Sequence, residues 1–405
     1  MLSYNYTENL LNLQDVIIDK IEQLDNISQI HIHLPVKPHK CKCCGELTSY
    51  IHDYRVRTIK DIPAYGKNTI LLYKQRRYVC KQCGKRFAED NHFSPKYYRI
   101  THRLMNDIFI RLESEYSFTS VSKMYSLSVS TIIRLFDILS YQAPDKLPEV
   151  IAIDEFKGNT GNEKYQAILT DPKTGIVLDI LPDRKTGHLI SYLKQWNKST
   201  RGQVRFFVSD MWKPYTDLAA IYFKNAIPLI DKYHYIRQII WAFERVRKKI
   251  QKQYGKDNRL LFKHSKRILT MRKSKLNSEQ LLQVEHILYL NKDIRQAYYL
   301  KEQFYKILDS KNRTDAKKLM SEWIMYAEAS GLKDYENSAS TLKNWSTSIL
   351  NTFDYPYTNG FTEGCNNKIK VLKRNAYGYR NFKRFRKRIL HMFNYKKRKT
   401  ERAVA

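Results

Sequence analysis

Residues 149–156 read EVIAIDEF, four apolar residues in succession closed by Asp154. An uninterrupted apolar run predicts a strand buried on both faces of a sheet, because a half-exposed strand would alternate. A carboxylate just past such a strand stands where open α/β sheets bind their ligands. Residues 204–211, VRFFVSDM, repeat the pattern and end in Asp210. YQAILTDPKTGIVLDIL (165–181) predicts two strands around an Asp-Pro-x-x-Gly turn, GHLISYLKQWN (187–197) an amphipathic helix, and AIPLIDKYHY (226–235) a fifth short strand. Three strands, helix, strand, helix, strand is an α/β order with a mixed sheet. Residues 235 to about 350 then read as helical and charged, with no second set of strands.

A third acid lies far along the chain, in YPYTNGFTEGCNNKIKVLKR (355–374). A helix starting near Asn359 puts Glu363, Asn366, Asn367 and Lys370 on one face, with Phe361, Cys365, Ile369 and Leu372 on the apolar side. A lone acid after a strand is most often a helix cap, and Glu363 beside Lys370 reads equally as a weak solvated ion pair. Taken together, Asp154, Asp210 and Glu363 would repel one another unless cations held them. Carboxylates favour hard divalent ions, Mg²⁺ or Mn²⁺, and a pair of such ions activates a water or a DNA 3′-hydroxyl and stabilises the leaving oxygen. Glu155 competes with Asp154 as ligand; the two point to opposite faces of one strand, and the strand phase favours Asp154. Asp231 and His234, beside the fifth strand, are candidates for supporting the ligands, with a surface histidine as the plain alternative. Trp212 reads first as a core residue and second as a platform for an unpaired base.

Across the 405 residues, 72 Lys and Arg stand against 40 Asp and Glu, a formal charge of +32. That excess implies a polyanionic partner, since neutralising phosphates releases counterions. With 30 Tyr and 17 Phe the chain is a folded protein with basic surfaces, not a disordered basic tail. No apolar run reaches the eighteen or so residues of a membrane span, and the N-terminus lacks the basic and apolar blocks of a signal peptide. A cytoplasmic, nucleoid-associated bacterial protein is expected, with no membrane partner.

Six cysteines in a reducing compartment point to metal rather than disulfides. Cys41/Cys44 and Cys80/Cys83 form two C-x-x-C knuckles, each followed by glycine (Gly45, Gly84). Four thiolates in tetrahedral geometry select a structural zinc in a zinc-ribbon-like module. Cys43 reads as a spare thiol and Cys365 as a small apolar residue. Residues 100–140 predict a helix, then SFTSVSKMYSLSVSTIIRLFDILSY as a helix-turn-helix. QAPDKLPE (142–149) reads as a linker. Near the C-terminus, KRNAYGYRNFKRFRKRILHMFNYKKRK mixes cations with Phe382, Phe385, Ile389 and Phe393 at helical spacing, an amphipathic helix with its charges outward. Asn367, Lys370, Lys373, Arg374, Lys383, Arg384 and Lys387 are the expected contacts to DNA phosphates. The expected organisation is an N-terminal helical segment (1–38), a zinc-binding module (39–95), a helix-turn-helix domain (96–145) and a catalytic domain (146–398) with a helical insertion at about 240–350.

From about residue 40 to 395 the sequence resembles an insertion-sequence transposase of the ISL-three type, a branch of the DDE transposases. Four stretches carry the resemblance: IKDIPAYGKNTILLYKQRRYVCKQCGKRF, IAIDEF, SDMWKPYTDLAAIYFKNAIPLIDKYHYIRQI and TNGFTEGCNNKIKVLKRNAYGYRNFKRFRKRIL. The resemblance implies an RNase H-like catalytic fold, acids at Asp154, Asp210 and Glu363, and a helical insertion between the last two. It further implies recognition of double-stranded DNA at the element's terminal inverted repeats, metal-dependent cleavage there, and transfer of the freed 3′-hydroxyl to target DNA by a homodimer or higher oligomer. A zinc and helix-turn-helix transcription regulator, or an RNase H-like nuclease without strand transfer, are the alternative readings.

Overall fold

The computed structural model describes Leu13 and residues 15–404, with side chains described as far as Tyr395. Its chain divides into two units, residues 1–141 with 371–378 and 391–405, and residues 142–370 with 379–390. Residues 371–378 and 391–398 thus group with the first unit, although the sequence reading assigns them to the catalytic segment.

The first unit is built on strands β1 (Ile17–Gln23), β2 (Ile27–His33), β3 (His39–Lys40), β4 (Leu47–Thr48), β5 (Ile51–Ala64), β6 (Lys67–Val79) and β7 (Arg86–Ala88). Five form one sheet in the order β1-β2-β6-β5, with β7 added to β6, while β3 and β4 pair as a small hairpin. The helical reading of residues 1–38 is therefore corrected: residues 17–23 and 27–33 are strands, and residues 1–12 and 14 lie outside the described residues. The reason is a period of two. Along β2, Ser28, Ile30 and Ile32 are buried while their neighbours are half-exposed, and Ile30 and Ile32 pack with Ile59, Leu71 and Tyr73.

Helices α1 (His102–Arg111), α2 (Phe118–Met124) and α3 (Val129–Asp137) follow. Thr101, Ser117 and Ser128 cap them, each side chain accepting an amide N–H of the first turn. Val121 on α2 and Ile132, Leu135 and Phe136 on α3 are all buried, and Ser126 turns the chain between the two helices at φ 47°. A short helix, a turn and a second helix thus stand where the sequence predicts them.

In the second unit, β8 (Val150–Phe156), β9 (Gln166–Asp171), β10 (Ile176–Leu181), β11 (Phe206–Ser209) and β12 (Ile227–Ile230) form a mixed sheet in the order β10-β9-β8-β11-β12. The β10/β9 and β9/β8 pairs are antiparallel; β8/β11 and β11/β12 are parallel. This is the α/β fold with a mixed sheet that the sequence predicts. Its helices are α4 (Thr186–Leu193), α5 (Lys198–Gly202), α6 (Lys213–Tyr222) and α7 (Lys232–Gln251). An all-helical stretch continues through α8 to α13 (Lys256–His264, Lys266–Thr270, Ser278–Leu290, Lys292–Leu308, Arg313–Glu328, Lys333–Leu350), with its own core around Phe243, Phe304, Trp323 and Tyr335. Two last helices, α14 (Gly360–Asn375) and α15 (Phe382–Val404), each contribute residues to both units.

The apolar runs explain the central strands. Ile151 and Ile153 pack on Leu189, Tyr215 and Leu218, while Val150 and Ala152 join Val208, Leu229, Tyr355 and Tyr357 on the other face. Both faces are covered along residues 150–153, so no polar residue is tolerated before Asp154. No helix among the described residues is long and apolar enough to cross a membrane.

Candidate active site

Asp154 and Glu155 leave β8 on opposite faces, as the alternation requires. Asp154 turns toward α14, where its Oδ2 accepts a hydrogen bond from Asn366 Nδ2 at 2.9 Å; its Oδ1 accepts the backbone N–H of Glu155 at 2.8 Å. Glu155 turns the other way and its Oε1 accepts from Arg184 at 2.5 Å. Asp210 follows β11 directly, ahead of α6. Its Oδ1 and the Glu155 Oε2 are buried with no hydrogen-bond partner among the described residues.

Glu363 lies in the first turn of α14 and is half-buried. That turn is fixed by Asp231, itself 95% buried by its 5% exposure. Asp231 caps α7 by accepting the Tyr233 N–H and also accepts the Asn359 N–H at 3.1 Å. Asn359 O in turn accepts the Glu363 N–H at 2.8 Å. A buried hydrogen bond between Thr170 and Thr362 hydroxyls, 2.8 Å, ties the same turn to β9. Asp231 therefore acts on the position of Glu363 through the backbone. His234 is half-buried, within 3.2 Å of an Arg237 nitrogen, and burial and that charge lower its pKa.

The acids feel one another. Burial, with the charges of Asp210, Glu155 and Glu363, pushes Asp154 up to about 7. Burial and then the Glu155 charge push Asp210 up to about 6. Glu363 is raised by burial and by Asp231, against the pull of Lys370 and Arg237. The three carboxylates do not form a group with ligand oxygens within 4.8 Å of one another, as the four sulfurs described below do. The buried unpartnered oxygen of Asp210, among acids raised by burial and by one another's charge, fits a hard divalent cation, the ligand chemistry read from the sequence.

On α14, Asn366 is buried and Asn367 and Lys370 are exposed. Lys370 Nζ donates to Asn367 Oδ1 at 3.3 Å, and no ion pair joins Lys370 to Glu363 among the described residues. The sequence reading put Asn366 on the Glu363 face of the helix, and in the structure Asn366 meets Asp154 from that helix. Arg184 and Arg237 were missed: Arg184 lies outside the quoted motifs, and Arg237, inside DKYHYIRQI, was not singled out. Trp212 packs against the sheet's apolar cluster and edge-on to Tyr215, with ring centroids 4.6 Å apart.

Of the other expected phosphate contacts, Arg374 and Lys383 are exposed, and Lys373, Arg384 and Lys387 are half-buried. Phe385 and Ile389 form the buried stripe of α15. Arg386 on the same helix pairs with Asp179 at 2.5 Å.

In the first unit, Cys41 and Cys44 follow β3, and Cys80 and Cys83 follow β6. Both knuckles turn identically. Gly45 and Gly84 take φ +79° and +68°, and their N–H groups donate to Cys41 O and Cys80 O at 3.0 and 2.9 Å. The four sulfurs lie within 4.8 Å of one another, with Cys41–Cys83 and Cys44–Cys80 at 3.5 Å. Tetrahedral Zn–S bonds of about 2.3 Å require sulfurs about 3.8 Å apart. Backbone N–H groups of Cys44 and Cys43 pull the Cys41 thiol down to about 6, favouring the thiolate. Cys43 is exposed and outside the group; Cys365 is buried on α14.

A transposase family model of the ISL-three (ISL3) type matches residues 151–389, more than half of the chain. A second, described as the zinc-finger of transposase IS204/IS1001/IS1096/IS1165, matches residues 37–83. The chain belongs to the ISL-three family of DDE transposases of insertion sequences. The transposase for insertion sequence element IS1001 of Bordetella parapertussis is 26% identical over 394 residues, which is 94% of this chain and 96% of that protein. A protein from Lactococcus lactis subsp. lactis named ATP-dependent protease is 33% identical over 107 residues, 26% of this chain and 33% of its own length. The knuckle geometry and the zinc-finger match together make residues 41–83 a structural zinc site.

Proposed function

We propose that Asp154, Asp210 and Glu363 are the metal-binding acids of a transposase that cuts at the terminal inverted repeats of its element and joins the freed 3′-hydroxyl to target DNA. The observation that carries this is the bond from Asn366, on the helix of Glu363, to Asp154, beside the neighbouring parallel strand β11, after which Asp210 keeps a buried unpartnered oxygen. When bound, two Mg²⁺ or Mn²⁺ ions supply a nucleophile at neutral pH and neutralise the charge developing on the leaving oxygen. The chain's own residues hold the carboxylates in place. Asn366 and the Glu155 N–H fix both oxygens of Asp154, and Asp231 fixes the start of the helix that carries Glu363. In the first unit the zinc module and the α2–α3 pair recognise the repeat, and the Lys and Arg residues of α14 and α15 contact phosphates. Joining two ends calls for at least a homodimer on DNA.

Labelled duplex carrying an inverted repeat, incubated with the protein and Mg²⁺ or Mn²⁺, separates the readings. A transposase joins the repeat's 3′ end to a second duplex. A nuclease nicks without joining, and a regulator only shifts the band.

A further inference from the structure

Arg184 and Arg237 are each held by a tyrosine and a tryptophan. The Arg184 guanidinium lies 5.0 Å from the Tyr165 ring centre and 5.2 Å from that of Trp212. The Arg237 guanidinium lies 5.1 Å from the ring centre of Tyr233 and 4.6 Å from that of Trp241, four residues before and four after it on α7. Arg184 bonds Glu155, the neighbour of Asp154, and lies over Trp212, two residues past Asp210. Arg237 stands on α7, the helix capped by Asp231, which also holds the start of Glu363's helix.

The backbone under Arg184 is also fixed. Asp183, buried, accepts the Lys185 N–H at 2.8 Å and meets His188 Nδ1 at 2.6 Å. Aromatic faces take up the faces of a guanidinium and leave its edge, where all its N–H groups lie, free to bind in plane. Arg184 uses one edge nitrogen on Glu155. Arg237 meets His234, and its Nε is buried with no partner among the described residues. An unpaired buried donor points to an acceptor from outside the chain.

Neutralising the acids is the other task these cations could have. Divalent ions on Asp154, Asp210 and Glu363 would do that, leaving the arginine charges in need of anions beside the site. A DNA strand supplies such anions at every step, in the planar two-oxygen geometry that arginine matches best.

We propose that Arg184 and Arg237 are phosphate grips, each presenting its guanidinium edge to one phosphate beside the scissile bond of the DNA strand that crosses the three carboxylates. Glu155 and the four rings are positioning residues that aim them. The inference rests on the function proposed above and names the contacts that hold its substrate.

The test uses the full chain and repeat duplexes carrying one neutral methylphosphonate at each position around the cleavage point. Neutralising a gripped phosphate should weaken binding by wild type roughly ten- to a hundredfold. In Arg184→Lys the loss at one position should shrink severalfold, and in Arg237→Lys the loss at a different position. The Gln variants of both give the same reading should a Lys variant fold poorly, as judged by zinc content and thermal melting. If wild type cleaves the repeat but every arginine variant keeps the full methylphosphonate pattern, the grips are refuted and the active site stands. If wild type neither binds nor cleaves the repeat, the active-site reading falls and the grips with it.

Discussion

Asn366 Nδ2 donates to Asp154 Oδ2 at 2.9 Å, joining residues 212 apart in sequence. This bond locks α14 against the end of β8, and it decides which of the two adjacent acids on that strand faces Glu363's helix. Its Oδ1 is buried without a partner among the described residues, so Asn366 is present for this polar contact and not for apolar packing.

Asn366→Ala should therefore lower cleavage roughly ten- to a hundredfold, the usual cost of removing a residue that orients a metal ligand. The Mg²⁺ concentration for half-maximal rate should rise, and repeat binding should hold. An unchanged Mg²⁺ dependence would mean that the bond does not serve the metal site.

Removing zinc, or replacing Cys80 and Cys83 by Ser, should unfold residues 40–90 and abolish specific binding to repeat DNA, because a small ribbon gains much of its folding free energy from the ion. Purified protein should hold close to one zinc per chain by elemental analysis. Protein that lacks zinc yet binds the repeat normally would contradict this.

Replacing Lys383, Arg384 and Lys387 together should weaken binding to all DNA sequences and flatten the salt dependence by up to about three units of slope. A loss confined to the cognate repeat would instead mean that they read bases.

Folded Asp154 titrates at about 7 and Asp210 at about 6, well above an ordinary aspartate. Between about pH 4 and those values the folded chain holds protons that the unfolded chain has released. The stability these groups contribute is present at low pH and is lost as pH rises through the folded values. Without added divalent ion, the melting temperature of wild type relative to Asp154→Asn should thus fall from pH 4.5 to 7.5. Mg²⁺ should recover it at the upper end. A difference that does not change with pH would place Asp154 in a solvated setting.

The catalytic sheet was legible because β8 and β11 are covered on both faces, so their sequences could only be apolar up to the acids. The zinc knuckles were legible because cysteine spacing and glycine placement follow from one turn geometry. The N-terminal strands were misread although Ile30, His31, Ile32 and His33 alternate; six polar or charged residues in β1 and its following turn (Asp19, Lys20, Glu22, Gln23, Asp25, Asn26) obscured the period. Helical spacing put Asn366 on the Glu363 face, but its partner Asp154 lies 212 residues away and no spacing could name it. Arg184 could not be found from spacing, because its rings, Tyr165 just before β9 and Trp212 just before α6, are brought to it by the fold. Tyr233, Arg237 and Trp241 do recur at four-residue spacing on α7, but that spacing alone names no site.

The central claim is that Asp154, Asp210 and Glu363 act as one metal site. Asp154→Asn, Asp210→Asn and Glu363→Gln each keep side-chain size and remove the charge that holds the ions. The decisive measurement follows binding and cleavage of the repeat duplex by each variant, on the same preparation, with Mg²⁺ and with Mn²⁺. Binding should stay near wild type while cleavage and joining fall by several orders of magnitude, and double variants should lose little more, since the three act as a unit. Cleavage at the wild-type rate by Glu363→Gln would remove that residue from the site and contradict the account.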